Sequence, residues 1–262
     1  LPISPIIAIV IYIIYLGAPA ITWEFLTAMP RDGMRAGGIW PAIVGTFYLT
    51  MGTAIFSVPL GVAAAIYLSE YAKDNPLTRN IRLAIINLAG IPSVVYGLFG
   101  LGLFVVFLNF GTSILSASLT LSIMTLPVII TTTEEALRAV PQSFRVVSTS
   151  LGATKWQTIR RVILPQALPG ILTGVVLGLE RAAGETAPIL FTGAAFFLPR
   201  LPNSPLDATM ALPYHLFVIS TQVPGMPIKI QYGTVLVLMM FVLIMNLIVT
   251  LIRSRARARR QW

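Results

Sequence analysis

The sequence predicts an all-α integral membrane protein with six transmembrane helices. Three observations carry that expectation. The chain is 56% hydrophobic and only 10% charged, with a mean hydropathy of +0.85, whereas a soluble domain carries about 25% charged residues. Its charges are gathered into short segments that separate long uncharged runs. Those runs lack the every-other-residue alternation of a strand, and only helices or closed barrels satisfy their own backbone in lipid. The 262 residues include no cysteine and a single histidine, His215. Disulfide frameworks and thiolate metal sites are thereby excluded, and no metal site built on several histidines is expected.

Taken in order, Leu1 to Ala20 holds the first span. Its apolar part to Leu16 is short for the roughly 20 residues a crossing needs, as expected of a span whose beginning lies ahead of Leu1. A signal peptide is the rival reading, but neither a basic leading region nor a small-residue cleavage site is visible. A polar connection with Glu24, Arg31, Asp32 and Arg35 completes the first segment, residues 1–35. Residues 36–252 form the main membrane body. Ala36 to Ser69 is uncharged and contains the second span, Pro41 to Leu68. Glu70 to Arg82 is a charged loop. Leu83 to Thr133 carries no charge over 51 residues, too long for one helix. The turn-forming cluster Asn109-Phe110-Gly111-Thr112-Ser113 divides it into the third and fourth spans.

A polar, basic loop fills residues 134–165, and Ala167 to Phe191 is the fifth span. The connection 193–229 holds six prolines, from Pro199 to Pro227. Within it, Ala208 to Gln222 reads as a re-entrant or surface helix, with His215 structural rather than a ligand or proton carrier. Ile230 to Ile252 is the sixth span, and residues 253–262 are a basic tail. Pro59, Gly61, Gly90, Pro92, Gly97, Gly100 and Gly102 in spans two and three predict bends and close helix packing.

The basic residues orient this layout. With the C-terminus inside, the inner segments hold thirteen lysines and arginines. The outer segments hold four: Arg31, Arg35, Arg200 and Lys229. This is the positive-inside bias of a chain with both termini and loop 134–165 in the cytoplasm. The net charge of +9 therefore sits in loops rather than on a soluble module, and no nucleic-acid partner is expected. The arginines of the tail are read as an anchor at the anionic inner leaflet.

Within loop 134–165, Thr131-Thr132-Thr133 before Glu134 and Glu135 reads as a helix N-terminus with acids in its first turn. Pro141 interrupts that helix. A second short helix starts after Gly152, with Thr154 as its cap. Trp156, Ile159 and Ile163 then share a face, Arg160 and Arg161 lie off it, and Pro165 ends the pattern. An apolar-faced helix of this kind needs another surface to cover it, or lies on the membrane.

In the fifth span, Arg181 sits near mid-depth, where a charge costs about 2.5–3.5 kcal/mol on insertion scales. Glu185 is four residues on, one helical turn away, and Glu180 adds an acid on an adjacent face. Gly174, Gly178, Arg181 and Glu185 form one stripe, and glycines admit another helix closely. The stripe thus faces protein or a water path. Two readings stand side by side. One is a buried ion pair that fixes helix packing. The other is a solute-path site where the Arg181 guanidinium meets an anion through paired donors.

Gly152, nine further residues and then Val162-Ile163-Leu164-Pro165 resemble the permease loop of bacterial ABC importers. That loop reads Glu-Ala-Ala, three residues, Gly, nine residues, Ile, one residue, Leu-Pro. Its Glu-Ala-Ala start is not kept: Val146, Val147 and Ser148 stand there. The segment Arg181-Ala182-Ala183-Gly184-Glu185-Thr186-Ala187-Pro188 resembles the fifth-span signature of phosphate-specific permeases, most closely their A-type (PstA-like) subunits. Ala211-Leu212-Pro213-Tyr214-His215-Leu216-Phe217 resembles them too.

The resemblance implies the ABC importer permease (MetI-like) fold, with cytoplasmic coupling helices between spans four and five. It implies that Gly152, Ala153, Thr154, Trp156, Leu164 and Pro165 couple to an ATPase, and that Arg181, Glu185, Thr186 and Glu180 line a phosphate path. The implied partners are a homologous (PstC-like) permease, PstB-like ATPase subunits and an extracytoplasmic, PstS-like phosphate-binding protein, in a bacterial or archaeal cell membrane. No Gly-x-x-x-x-Gly-Lys-Ser/Thr loop occurs, so ATP and magnesium are expected in the ATPase partners, with no cofactor in this chain. The alternatives are the same architecture importing phosphonate or molybdate, or an intramembrane enzyme using Glu180, Glu185 and His215. No His-Glu-x-x-His or Gly-x-Ser-x-Gly motif supports the enzyme.

Overall fold

The computed structural model describes residues 3–258. In chain order its helices are α1 (Ile3–Gly17) and α2 (Trp23–Thr27), then α3 (Trp40–Ile66), which a π-helical turn extends to Tyr71. There follow α4 (Pro76–Ala89), α5 (Ser93–Gly100, extended to Phe107), α6 (Ile114–Arg138), α7 (Gln142–Ser150) and α8 (Lys155–Thr158). The last are α9 (Leu164–Gly184), α10 (Ala187–Thr192), α11 (Leu212–Thr221) and α12 (Ile228–Ala258). Between α2 and α3, β1 (Pro30–Arg31) and β2 (Ala36–Gly37) pair antiparallel, Pro30 opposite Gly37.

Among the described residues, four helical stretches are long and apolar enough to cross a membrane: Trp40–Tyr71, Ile114–Arg138, Lys155–Gly184 and Ile228–Ile252. A fifth crossing is made if the helices on either side of Gly90-Ile91-Pro92 act as one span. The expected first span is α1, only 15 residues long. Four to five crossings are thus present among the described residues, compatible with the six expected spans, with α1 short and the third expected span broken. The prolines and glycines anticipated as bends account for that break: Pro92 offers no N–H to continue the ladder. The tail continues α12 as helix to Ala258, while Arg259 and Arg260 lie outside the described residues.

Three local expectations are corrected. The Thr131–Glu135 stretch is not a helix start: α6 runs through it to Arg138, and Thr131 and Thr132 hydrogen-bond back into their own helix. Thr131 Oγ1 donates to the Pro127 carbonyl at 2.8 Å and Thr132 Oγ1 to that of Val128 at 2.7 Å, the back-bonding that threonine makes inside a helix. Pro165 does not end the helix of the basic loop. The helix continues from Lys155 to Gly184, with a π-helical turn over Ile159–Ile163 just before the proline. Such a turn shifts the hydrogen-bond register where a proline cannot donate. The fifth span, finally, ends at Gly184 rather than Phe191.

By contact density the described chain divides into two units. One comprises the chain up to Gly52, Ser93–Leu121 and Ala183–Ile244; the other comprises Thr53–Pro92, Ser122–Ala182 and the chain from Met245. In the first, α10 packs on α5, where a Cβ at Gly97 would stand 2.8 Å from Phe191 and 3.0 Å from Pro188. The Ser113 amide donates to the Thr192 carbonyl at 2.9 Å, and the Leu212 amide to Thr46 Oγ1 at 2.8 Å. Six residues of α11 are buried, His215 among them, so α11 is an internal helix and not one lying on a surface. Tyr12 of α1 meets Tyr232 of α12 edge-on, with ring centroids 5.8 Å apart.

In the second unit α6 is the centre. Its most apolar window is 67% buried, against 0% for that of α12. Against it lie α3, through Gly61 on Ile129, and α9, through Gly170 on Ala136, Gly174 on Thr132 and Gly178 on Ile129. Small residues at these points let backbones approach, the usual basis of helix association in lipid. The expected close-packing role of Gly174 and Gly178 is therefore seen, with α6 as the partner. A cluster of Leu137, Val140, Ile159, Ile163, Ala167 and Ile171 closes the end of this unit nearest α7 and α8.

Candidate functional site

The segment between α6 and α9 is built from short-range rules. Pro141 separates α6 from α7 and stands at the N-cap of α7. At the other end of α7 the Gly152 amide donates to the Thr149 carbonyl at 3.0 Å, and the Ala153 amide to that of Ser148 at 3.2 Å. These are the two bonds of a Schellman cap. Gly152 has φ +80°, the left-handed conformation that glycine adopts without penalty. Thr154 then caps α8 in a reciprocal capping box: its Oγ1 accepts from the Gln157 amide at 3.3 Å, and Gln157 Oε1 accepts from the Thr154 amide at 2.8 Å. The sequence-predicted turn at Gly152 and cap at Thr154 are both present.

The apolar face divides differently from the expected one. Ile159 and Ile163 are buried, but Trp156 is 54% exposed. The change to π-helical winding at Ile159 takes Trp156 out of register with them. Trp156 is thus one of the exposed apolar side chains of this segment, with Phe144, Val146, Val147 and Leu151; Leu151 is 82% exposed. Phe144, Val147, Leu151, Ala153 and Val162 line an apolar groove of about 380 Å³ there. Of the remaining predicted coupling residues, Gly152 and Thr154 are exposed, while Ala153, Leu164 and Pro165 are partly buried.

Behind this surface lies a charge lattice that the sequence reading did not assign. Glu134 of α6 forms an ion pair with Arg82 of α4 at 2.9 Å and accepts a hydrogen bond from Arg138 at 2.6 Å. Arg82 Nη2 also donates to the Leu68 carbonyl at 2.8 Å. Glu70, just past α3, accepts from Arg145 of α7 at 2.7 Å. Lys155 Nζ stands 5.0 Å from the centre of the Tyr71 ring. Only the Glu134–Arg138 pair had a local signal, its i,i+4 spacing. The others join residues far apart in the chain, Glu70 and Arg145 by 75 positions, beyond the reach of any pattern in the chain.

The charged end of the fifth span is the second element. Arg181 lies in the last turn of α9, partly buried, where a cation complements the helix dipole. Glu180 has the Asn246 amide of α12 as a side-chain hydrogen-bond partner, while its Oε1 is buried without one. Asn246 was legible only as the one polar side chain within Val235 to Val249. Glu185 and Thr186 do not continue α9. They occupy the break before α10, which restarts at Ala187 with Pro188 in its first turn. The expected helical register between Arg181 and Glu185 is thus cut by the helix end at Gly184. Irregular backbone at membrane depth persists only where protein or a water-filled cavity covers it.

His215 of α11 is 2% exposed, and burial pushes its imidazole down to about 4. Among the described residues no group of three metal-ligating side chains occurs.

Relatives match the chain along most of its length. The Bacillus subtilis (strain 168) "Probable ABC transporter permease protein YqgI" is 35% identical over 250 residues, covering 90% of this chain and 84% of its own. The "Phosphate transport system permease protein PstA 2" of Mycobacterium bovis (strain ATCC BAA-935 / AF2122/97) is 34% identical over 261 residues, covering 98% of this chain and 84% of its own. A chain of the bacterial alginate ABC transporter, crystallised with an alginate-bound periplasmic protein, superposes with a TM-score of 0.67 at 14% identity. It covers 94% of this chain and 87% of that one, a likeness of fold alone. The family described as "Binding-protein-dependent transport system inner membrane component" matches residues 57–260. That match takes in α7, α8 and the whole of α9, and the chain belongs to this family of multi-pass ABC importer permeases.

Proposed function

We propose that the chain is the A-type permease subunit of an ATP-driven importer of inorganic phosphate. One observation carries the choice of phosphate: the relative named for phosphate transport aligns along 98% of this chain, through the Arg181–Thr186 segment at the helix break. The chemistry supports it. The guanidinium of Arg181 offers paired donors to a tetrahedral oxyanion, and ionisable residues inside a membrane are functional by default. In this reading Arg181, Glu185, Thr186 and Glu180 face the path. Glu180 is held by Asn246, and Glu185 sits at the break between α9 and α10, outside the helical ladder.

The path is completed by a homologous permease, and an extracytoplasmic phosphate-binding protein delivers the ion. ATPase subunits, which hold ATP and magnesium, dock on the apolar surface of Leu151, Trp156 and the groove beside them. Gly152, Ala153, Thr154, Leu164 and Pro165 shape that surface. Both termini and α7–α8 lie in the cytoplasm of a bacterial or archaeal cell.

Phosphate uptake per assembled complex tests the site. Arg181→Gln is expected to lose uptake by roughly two orders of magnitude, the loss of about 3 kcal/mol of charge-assisted hydrogen bonding, with assembly retained. Arg181→Lys recovers part of it. If Arg181→Gln fails only through loss of protein, or if Arg181→Gln with Glu185→Gln transports normally, Arg181 is a packing charge.

A further inference from the structure

We infer that Arg145 and Ser148 are the two braces that fix α7 to the rest of the chain, and that Arg145 is the residue through which a displacement of α7 reaches the spans. The inference rests on the importer reading, in which a partner acts on α7. Of the nine residues of α7, seven are exposed. No apolar side chain of α7 is buried, and none belongs to the core clusters that pack around α6. The helix is joined to its neighbours by the short turns at Ala139–Pro141 and Leu151–Thr154. A helix held only by two turns swivels about them when pushed, so cross-bracing decides whether a push is transmitted or absorbed.

The bracing is polar, and it comes from the two residues of α7 that are not exposed. Arg145 Nη1 donates to the Val140 carbonyl at 2.7 Å; Nη2 donates to the Leu137 carbonyl at 2.9 Å and to Glu70 at 2.7 Å. Ser148 Oγ and Thr158 Oγ1 share a hydrogen bond of 2.8 Å. The destinations differ. Leu137 is in the last turn of α6, Val140 is in the turn that follows it, and Glu70 lies in the π-helical extension of α3. Thr158 lies in the helix that runs unbroken to Gly184, past Arg181.

Beside these bonds lies an open cavity of about 630 Å³, lined by Glu70, Arg145 and Thr149 among others, so side-chain packing does not brace α7 there. A guanidinium is suited to this task because its planar fork fixes several acceptors at once, which a lysine ammonium does not. Arg145 thus ties α7 to α3 and α6 together, and Ser148 ties it to α9.

The test uses the complex with its ATPase and partner permease in proteoliposomes. It reads hydrogen exchange of the α7 amides and the phosphate moved per ATP hydrolysed. Arg145→Gln is expected to speed α7 exchange and to lower phosphate per ATP by roughly ten-fold, the scale of a coupling free energy between sites, while ATP hydrolysis continues. Arg145→Lys falls nearly as far. Because the chain has no cysteine, Ser148→Cys with Thr158→Cys gives a brace that can be switched. Oxidation restores the ratio and reductant lowers it again.

Unchanged α7 exchange in Arg145→Gln overturns the inference. So does a wild-type ratio in both Arg145→Gln and the reduced cysteine pair, or a parallel loss of hydrolysis and transport, which marks a docking fault. A wild-type complex that moves no phosphate sinks the importer reading instead, and the exchange measurement still decides the bracing.

Discussion

Both ring nitrogens of His215 are buried without a hydrogen-bond partner among the described residues, and burial holds its pKa near 4, below the ordinary 6.5. The folded state therefore resists a proton that the unfolded chain accepts below pH 6.5. Stability is whole above that pH and falls as the pH drops from 6.5 towards 4, by about 1.4 kcal/mol per unit. The melting temperature of the purified complex should drop between pH 7 and pH 5, and His215→Gln should flatten that drop. An equal drop in the variant would show that other groups set the acid limit. The same residue illustrates what sequence can and cannot show. That the chain has a single histidine was legible, but the burial of His215 without a hydrogen-bond partner among the described residues is a property of packing. Thr154 was legible because a cap is local, four residues of chain suffice, and its partner Gln157 is three positions away. Arg145 was only one more basic residue of a loop, because its partners lie on α6 and α3.

At the scale of elements, the turn from α7 to α8 depends on the conformation of Gly152 and not on its size: nothing lies within 4 Å of where a Cβ would stand. Gly152→Ala should therefore cost about 1 kcal/mol through the positive φ alone, and Gly152→Asn less, since asparagine tolerates this cap. Thermal unfolding of the assembled complex measures both. Equal melting for glycine and alanine would show that the left-handed turn is not kept. Helix ends were the least legible features. Pro165 looks like a stop and Thr131–Thr133 like a start. One is absorbed by π-helical winding and the other by hydroxyl-to-carbonyl bonds within α6. Conversely, Ala167 to Phe191 reads as one apolar helix, and only the structure shows the break at Glu185 and Thr186. Apolar composition marks what lies in the membrane; it does not mark where the hydrogen-bond ladder stops.

At the scale of the molecule, composition and charge segregation made the helical membrane class plain. The small-residue stripe on α9 pointed to a close helix neighbour without naming α6. The proposed orientation places α7 and the 193–229 connection on opposite sides of the membrane. Gln142→Cys and Asn203→Cys, both exposed positions, should react with an impermeant thiol reagent from opposite faces. Reaction of both from outside sealed cells would invert the topology.

The central claim is that this chain passes phosphate. The direct measurement is transport and ATP hydrolysis by the full complex in proteoliposomes, with each candidate anion supplied on the complex's own binding protein. Phosphate should stimulate hydrolysis and accumulate inside, and Arg181→Gln should abolish the accumulation. Accumulation of molybdate or a phosphonate in its place, or phosphate transport indifferent to Arg181, would contradict the account.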